Sequence, residues 1–240
     1  MLTDAHCHFD EQQSLAKVQQ ELGMLTIVNC STKEEWAKNQ QAISKESLQV
    51  LSFGIHPWAA DQMSVAEVRT YLNQAPIIGE IGLDTVWSEV PLAVQRLVFQ
   101  EQLILAKEQK KPVVLHTKGC EQEILATIKK FPNRYLVHWY STTDWQQEYI
   151  DFDCYFTIGI DVKTNPAVAQ LARSVPLNRL LVESDGLAAI EWAQNRPISV
   201  SAYPMLLKEQ LTEVAKLRNL PVAKLTQIIY QNLCAFLAPR

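Results

Sequence analysis

The first residues able to do chemistry stand at the start of the chain, which reads Asp4-Ala5-His6-Cys7-His8. In an extended strand, side chains at i and i+2 point to the same face, so His6 and His8 project together. Two imidazoles on one face at a strand's end form half of a site for a divalent cation. Alone, the pair would equally suit an ordinary strand terminus. The other histidines favour the ligand reading. The chain has five, and each falls at the end of a short β-rich apolar run: His6 and His8 on the first run, His56 on the third, His116 on the fifth and His138 on the sixth. Histidines without a common purpose would fall on helices and loops as well.

Acidic residues complete the set. Glu80 sits inside Ile77-Ile78-Gly79-Glu80-Ile81-Gly82-Leu83-Asp84. A carboxylate there is costly to bury unless it is paired or bound to a cation. The alternative is a buried ion pair with a lysine or arginine. The two flanking glycines allow close approach, which fits a carboxylate bridging two metals. Asp185 follows Leu180-Leu181-Val182-Glu183-Ser184 in the same manner. Asp84 and Glu183 suit either of two jobs, orienting a ligand or capping the next helix. Asp4 should face the same side as His6, where it would orient an imidazole or serve as a turn residue.

These side chains need a frame that brings distant strand ends together. Candidate strands cover residues 2–6, 25–30, 50–55, 77–82, 112–116, 135–139, 154–160 and 180–183, with helix-like segments between them. The clearest helix runs over 92–109, where Val94, Leu97, Val98, Glu101, Leu105 and Ala106 distribute over its faces at the 3.6-residue period. The stretch 202–237 reads as two final helices broken near 219–221, since Pro221 suits a helix start. Eight strands, each followed by a helix, form the pattern of an α/β protein of the (β/α)8 TIM-barrel class. An open doubly wound sheet is the alternative. In a barrel the histidines converge on the C-terminal mouth, where active sites of this fold lie. No Gly-rich linker or low-complexity segment marks a boundary, so residues 1–240 are expected to form a single domain. The seven glycines form neither a G-x-G-x-x-G nor a Walker loop, which removes the usual dinucleotide and P-loop readings.

Composition sets outer limits. Hydrophobic residues make up 48% and charged residues 20%, which suits a globular chain with a large core. The formal net charge of −4 argues against a broad basic surface gripping long nucleic acid. A metal centre would supply its own local positive charge. The five cysteines are scattered, with no C-x-x-C pair, so neither a disulfide framework nor a zinc ribbon is indicated. A cytoplasmic setting is expected. No run approaches the ~20 apolar residues of a membrane span, and no obligate protein partner is indicated.

The motifs together resemble the TatD-type metal-dependent deoxyribonuclease family, a branch of the amidohydrolase-like barrel enzymes. The resemblance runs through Asp-Ala-His-Cys-His-Phe-Asp from Asp4, Gly-Ile-His-Pro from Gly54 and Gly-Glu-Ile-Gly-Leu-Asp from Gly79. It continues through Phe99-x-x-Gln102-Leu103-x-Leu105-Ala106, Lys111-Pro112-Val113-Val114-Leu115-His116, His138 after Val137, and Glu183-Ser184-Asp185, and ends at Asn232 and Phe236. It implies one metal held by His6, His8, Glu80 and Asp185, with Glu80 bridging to a second held by His116 and His138. Glu80 and Asp185 would be the catalytic carboxylates, Asp185 as general base toward a metal-activated water that attacks phosphorus. His56 would contact substrate phosphate or water rather than serve as a firm ligand. Lys118 and Tyr140, with Trp58 and Trp139, would hold a phosphate and stack a base.

The implied cofactors are two divalent ions. The family is usually assigned magnesium, whereas a ligand set rich in imidazole suits manganese or zinc better. The implied substrate is DNA, cleaved from its ends, or a small nucleotidic phosphodiester. A hydrolase of the same barrel class acting on a small ester, lactone or amide is the alternative, although such relatives often bridge their metals with a carboxylated lysine rather than a glutamate. A metal-binding protein without turnover is a third reading, and the intact ligand set speaks against it. The chain departs from the family pattern at Lys118, where an arginine is common, and in the segments after His138 and Asp185.

Overall fold

The computed structural model describes residues 1–239. Its strands are β1 (Thr3–Cys7), β2 (Leu25–Cys30), β3 (Gln49–Phe53), β4 (Ile77–Asp84), β5 (Val113–Lys118), β6 (Tyr135–Val137), β7 (Tyr155–Ile158) and β8 (Leu180–Val182). Their bounds depart from the sequence expectation by at most about two residues, the usual fraying of element ends. The strands pair in parallel in the order of the chain, from β1 to β8. The helices are α1 (Ser14–Glu21), α2 (Lys33–Ala42), α3 (Val65–Gln74), α4 (Leu92–Glu108), α5 (Glu121–Ile128), α6 (Gln146–Asp151), α7 (Pro166–Ser174), α8 (Leu187–Gln194), α9 (Tyr203–Leu217) and α10 (Val222–Leu237). This is a nearly closed (β/α)8 barrel. Strands covered on both sides read as continuous apolar runs, and every residue of β1, β2 and β4 is buried.

The seam between β8 and β1 is joined by one buried side chain. Asp4 accepts from the Ser184 backbone N–H at 2.9 Å, from the Ser184 hydroxyl at 2.5 Å and from the Tyr203 hydroxyl at 2.7 Å. Asp4 therefore orients no imidazole and makes no turn. It ties the first strand to the end of the last and to α9. Just beyond, the Asp185 N–H donates to the His6 carbonyl at 3.0 Å, which brings the two ends of the chain's ligand set side by side.

The helix over Leu92–Glu108 buries only part of its aliphatic set and adds two glutamines to its barrel face. Leu97 is 65% exposed, while Gln95, Phe99, Gln102, Leu103, Leu105 and Ala106 face the barrel. The two glutamines are there because each satisfies strand-end backbone. Gln102 accepts from the Ile55 N–H at 2.7 Å and donates to the Ile55 carbonyl at 3.1 Å. Gln95 accepts from the Asp84 N–H at 2.8 Å and donates to the Asp84 carbonyl at 3.0 Å. Both strand ends feed the mouth, next to His56 and at Asp84. Such ends lie beyond the regular ladder, and their buried amides need partners.

Candidate active site

Glu80 occupies the centre of the barrel mouth, and its two carboxylate oxygens divide the surrounding imidazoles. Oε1 lies 2.6 Å from His116 Nδ1, 2.5 Å from His138 Nε2 and 3.5 Å from His56 Nε2. Oε2 lies 3.5 Å from His6 Nε2 and 3.6 Å from His8 Nε2. Asp185 stands on the second side, with Oδ1 3.2 Å from His6 Nε2 and 3.7 Å from His8 Nε2. All six residues of the expected ligand set therefore meet around one buried carboxylate, and among the described residues no lysine or arginine is paired with it. The ion-pair alternative for Glu80 gives way to a ring of imidazoles.

Local backbone makes this approach feasible. A Cβ on Gly82 would fall 1.9 Å from the His116 carbonyl oxygen, so only glycine lets β4 run this close to β5. Gly186, at φ +88°, passes the His8 backbone so closely that a Cβ would stand 2.5 Å from its carbonyl oxygen. Asp185 itself is left-handed, at φ +59°, a conformation that aspartate tolerates better than most residues. His8 lies one residue beyond β1 and is half-buried, while His6 within the strand is fully buried and stacks on His138 at 4.1 Å.

Hydrogen bonds on the outer nitrogens sort the rings by tautomer. His116 Nε2 donates to Asp84 Oδ2 at 2.9 Å, which turns Nδ1 toward Glu80. His138 turns Nδ1 toward Glu183 Oε2 at 3.7 Å, beyond hydrogen-bond reach, and against burial Glu80 and Glu183 hold its imidazole well above the usual range. The Asp84–His116 bond is the carboxylate–histidine arrangement that prepares an imidazole to hold a metal. His56 is wired the other way. Its Nδ1 accepts from the Trp58 backbone N–H at 3.2 Å, so the neutral ring carries its proton on the inner Nε2. In that tautomer the inner nitrogen is a donor.

Electrostatics follow the same plan. Burial alone would raise the Glu80 carboxyl, but His138, His56 and His6 outweigh it and hold Glu80 well below its ordinary range. Asp185 is also held low, against burial, by His6, His138 and His8. Burial and then His138 keep His6 below its usual value, in the neutral form that coordinates. His8 is pushed up to about 9, because Glu80 and Asp185 overcome its burial. The carboxylates thus draw positive charge into a buried pocket.

The donor set fits divalent cations. His6 Nδ1 and Nε2, His138 Nδ1 and both oxygens of Glu183 are buried with no hydrogen-bond partner. Such atoms are costly unless something else satisfies them. Among the described residues, three groups have candidate ligand atoms within 4.8 Å of one another: His6, His8 and Glu80; His56, Glu80 and His116; and His6, His138 and Glu183. Imidazole and carboxylate donors of this kind suit manganese or zinc better than magnesium.

The outer residues are placed less uniformly. Lys118 lies beside the mouth and donates to the Trp139 carbonyl at 2.9 Å and to the Ser141 hydroxyl at 3.0 Å. Tyr140, expected to touch substrate, is instead in the core. Its ring packs edge-on against Tyr149 and Phe156, and its hydroxyl donates to the Asp144 carbonyl. An aromatic residue beside a ligand histidine carries no sequence mark that separates packing from stacking. Asp84 is a hub, accepting also from Trp58 Nε1 at 2.7 Å and from the Val86 and Trp87 amides at 2.8 Å each. Of the helix glutamines behind it, Gln102 stands in the motif that resembles the family, while Gln95 has no signal beyond polar residues recurring at helix spacing.

Comparison with known proteins bears on the family and the fold. A sequence model for the family described as TatD related DNase matches residues 3–238. The human protein named 3'-5' RNA nuclease TATDN2 is 26% identical over 221 residues and covers 86% of this chain, which spans 28% of that protein's length. The Escherichia coli K12 protein named Uncharacterized metal-dependent hydrolase YjjV is 26% identical over 256 residues, covering 95% of each chain. The crystal structure of YjjV, described as a TatD homolog, superposes with a TM-score of 0.81 at 20% identity, covering 98% of this chain and 97% of the other.

Proposed function

The chain belongs to the TatD-related DNase family, and from that premise we propose that it hydrolyses phosphodiester bonds in DNA, working from a strand end, with residues 1–240 acting as one catalytic domain. The observation that carries the reading is the division of imidazoles by Glu80, with His116 and His138 on Oε1 and His6 and His8 on Oε2. A bridging carboxylate with two such sets is the arrangement two-metal hydrolases use for in-line displacement at phosphorus.

His6, His8, Glu80 and Asp185 would hold one divalent ion, and Glu80, His116 and His138 a second. Magnesium, manganese or zinc bound there would supply Lewis acidity and a lowered pKa for water. The chain's own groups do the rest. Asp185 is kept ionised by the surrounding histidines, so its free carboxylate can take the proton of the attacking water. His56 offers its Nε2 proton to a non-bridging phosphate oxygen, which follows from the Trp58 amide on its Nδ1. An ammonium has three donors, and Lys118 gives two to Trp139 and Ser141. The third is available to a neighbouring phosphate. The burial of Glu80, His6 and His138 keeps bulk water from screening these charges.

The test is hydrolysis of an end-labelled single-stranded oligodeoxynucleotide by purified protein, run beside a panel of small esters, lactones and amides. Shortening of the labelled strand, with the panel untouched, is expected. Turnover of an ester or amide with the strand left intact would replace this reading with that of a small-molecule hydrolase of the same barrel class.

A further inference from the structure

Two of the most exposed large side chains on the molecule meet across the mouth of the barrel. Trp87, in the loop after β4, is 61% exposed, and Trp192, in α8 after β8, is 67% exposed. Their ring centroids lie 6.5 Å apart at 88°. In an eight-stranded barrel, loops after the fourth and eighth strands stand on opposite sides of the opening, so this contact spans it. Trp192 also rests edge-to-face on Trp139, 6.1 Å away at 75°, and Trp139 is only 6% exposed. A buried indole thus supports an exposed one.

Exposed tryptophan is expensive to keep, because an indole in water forfeits the burial that stabilises aromatic residues elsewhere. Packing does not require it here. An edge-to-face contact occupies at most one ring face, so most of the indole surface in the pair stays open for a flat partner. The pair is also continuous with the catalytic centre. The Trp87 amide donates to Asp84 Oδ1 at 2.8 Å, and the other oxygen of Asp84 accepts from His116. Lys118, held at the Trp139 carbonyl, sets one positive charge at the foot of the arch. Aromatic faces beside a cation are the means by which proteins bind single-stranded nucleic acid without reading its sequence.

We propose that Trp87 and Trp192 form a nucleobase-stacking subsite that receives an unpaired base of the strand whose phosphate lies at Glu80. The inference rests on the phosphodiesterase reading and adds to it the two indoles that would hold an unpaired base. Within a duplex only the terminal pair presents a free face to an indole, so an unpaired base is the better fit to the pair.

The probe is a short phosphorothioate oligodeoxynucleotide, which resists cleavage, compared with the same backbone bearing abasic sites. Binding to the full chain in magnesium is followed by tryptophan fluorescence. The base-bearing strand is expected to quench the emission and to bind on the order of 5- to 100-fold more tightly than the abasic one. Trp192→Ala and Trp87→Ala should each remove most of that difference, while Trp192→Phe should retain part of it, with circular dichroism confirming the fold. Equal binding of base-bearing and abasic strands, or alanine variants that keep the full preference, would overturn the subsite alone if ordinary oligonucleotide is still cleaved. Absence of both binding and cleavage would overturn the phosphodiesterase reading and the subsite with it.

Discussion

His116 Nε2 donates to Asp84 Oδ2 across 2.9 Å, and this one bond fixes which nitrogen of His116 faces Glu80. Asp84 stays ionised in this role. Burial works against the charge, but His116 and the Trp87, Trp58 and Val86 N–H groups outweigh it and keep its carboxyl well below the ordinary range. Replacing Asp84 with Asn would turn an amide toward a ring N–H. His116 would then be free to carry its proton on the inner nitrogen, where it cannot coordinate. Asp84→Asn is expected to weaken divalent-ion binding about 10- to 100-fold, measured by isothermal titration calorimetry. Unchanged affinity would show that the Asp84 contact does not set the tautomer.

Glu80 and Asp185 should fail differently. Glu80→Gln places an amide within reach of His138 and His116, whose inner nitrogens now lie 2.5 and 2.6 Å from a carboxylate oxygen. Metal content, read by mass spectrometry of the purified variant, should drop together with activity. Asp185→Asn is expected to keep the ion on Glu80, His6 and His8 but to lower kcat by about 10²–10⁴-fold, the usual worth of a positioned general base. If Asp185→Asn leaves kcat intact, the proton goes elsewhere.

Asp4 gives a pH prediction. Burial pushes its carboxyl from 3.8 up to about 7, despite bonds from Ser184 and Tyr203 that favour the charged form. A carboxyl raised in the folded state stabilises fully below the unfolded value, and that contribution is lost as pH rises through the folded one. Wild-type protein should therefore lose stability relative to Asp4→Asn between about pH 4 and about pH 7. Asparagine keeps the shape of the seam without the titration. The gap in Tm between the two proteins, measured across that range, should move in favour of the variant. A constant gap would mean that Asp4 does not titrate there.

Gln102 holds the strand end next to His56 by two bonds to Ile55. Gln102→Leu fills the same space but strands a buried N–H and a buried carbonyl, at a cost of about 1–3 kcal/mol each. Chemical denaturation should show the loss, and KM for an oligonucleotide should rise as His56 shifts. A variant as stable as wild type would show that water or neighbouring groups satisfy Ile55.

The barrel and the six candidate ligands were legible because each depends on local sequence: strand runs, an H-x-H, a carboxylate inside an apolar strand. What stayed hidden depends on partners far away in the chain. Asp4 meets Ser184 across 180 residues, and nothing near Asp4 announces that it closes the barrel. The burial of Gln95 and Gln102 follows from backbone that only the folded strand ends expose. Tyr140 and Trp192 make the same point from opposite sides. One stands beside a candidate ligand histidine yet packs in the core, while the other lies seven residues beyond Asp185 on α8 and reaches across the mouth.

Divalent metal at Glu80 is expected to drive phosphodiester hydrolysis. The direct measurement is cleavage of a labelled single-stranded oligodeoxynucleotide by protein first stripped with chelator, then supplied separately with magnesium, manganese or zinc. Loss of cleavage on stripping and its return with at least one of these ions, in wild type but not in Glu80→Gln, is the predicted result. Cleavage that persists undiminished in chelator, or equal cleavage by Glu80→Gln, would contradict it.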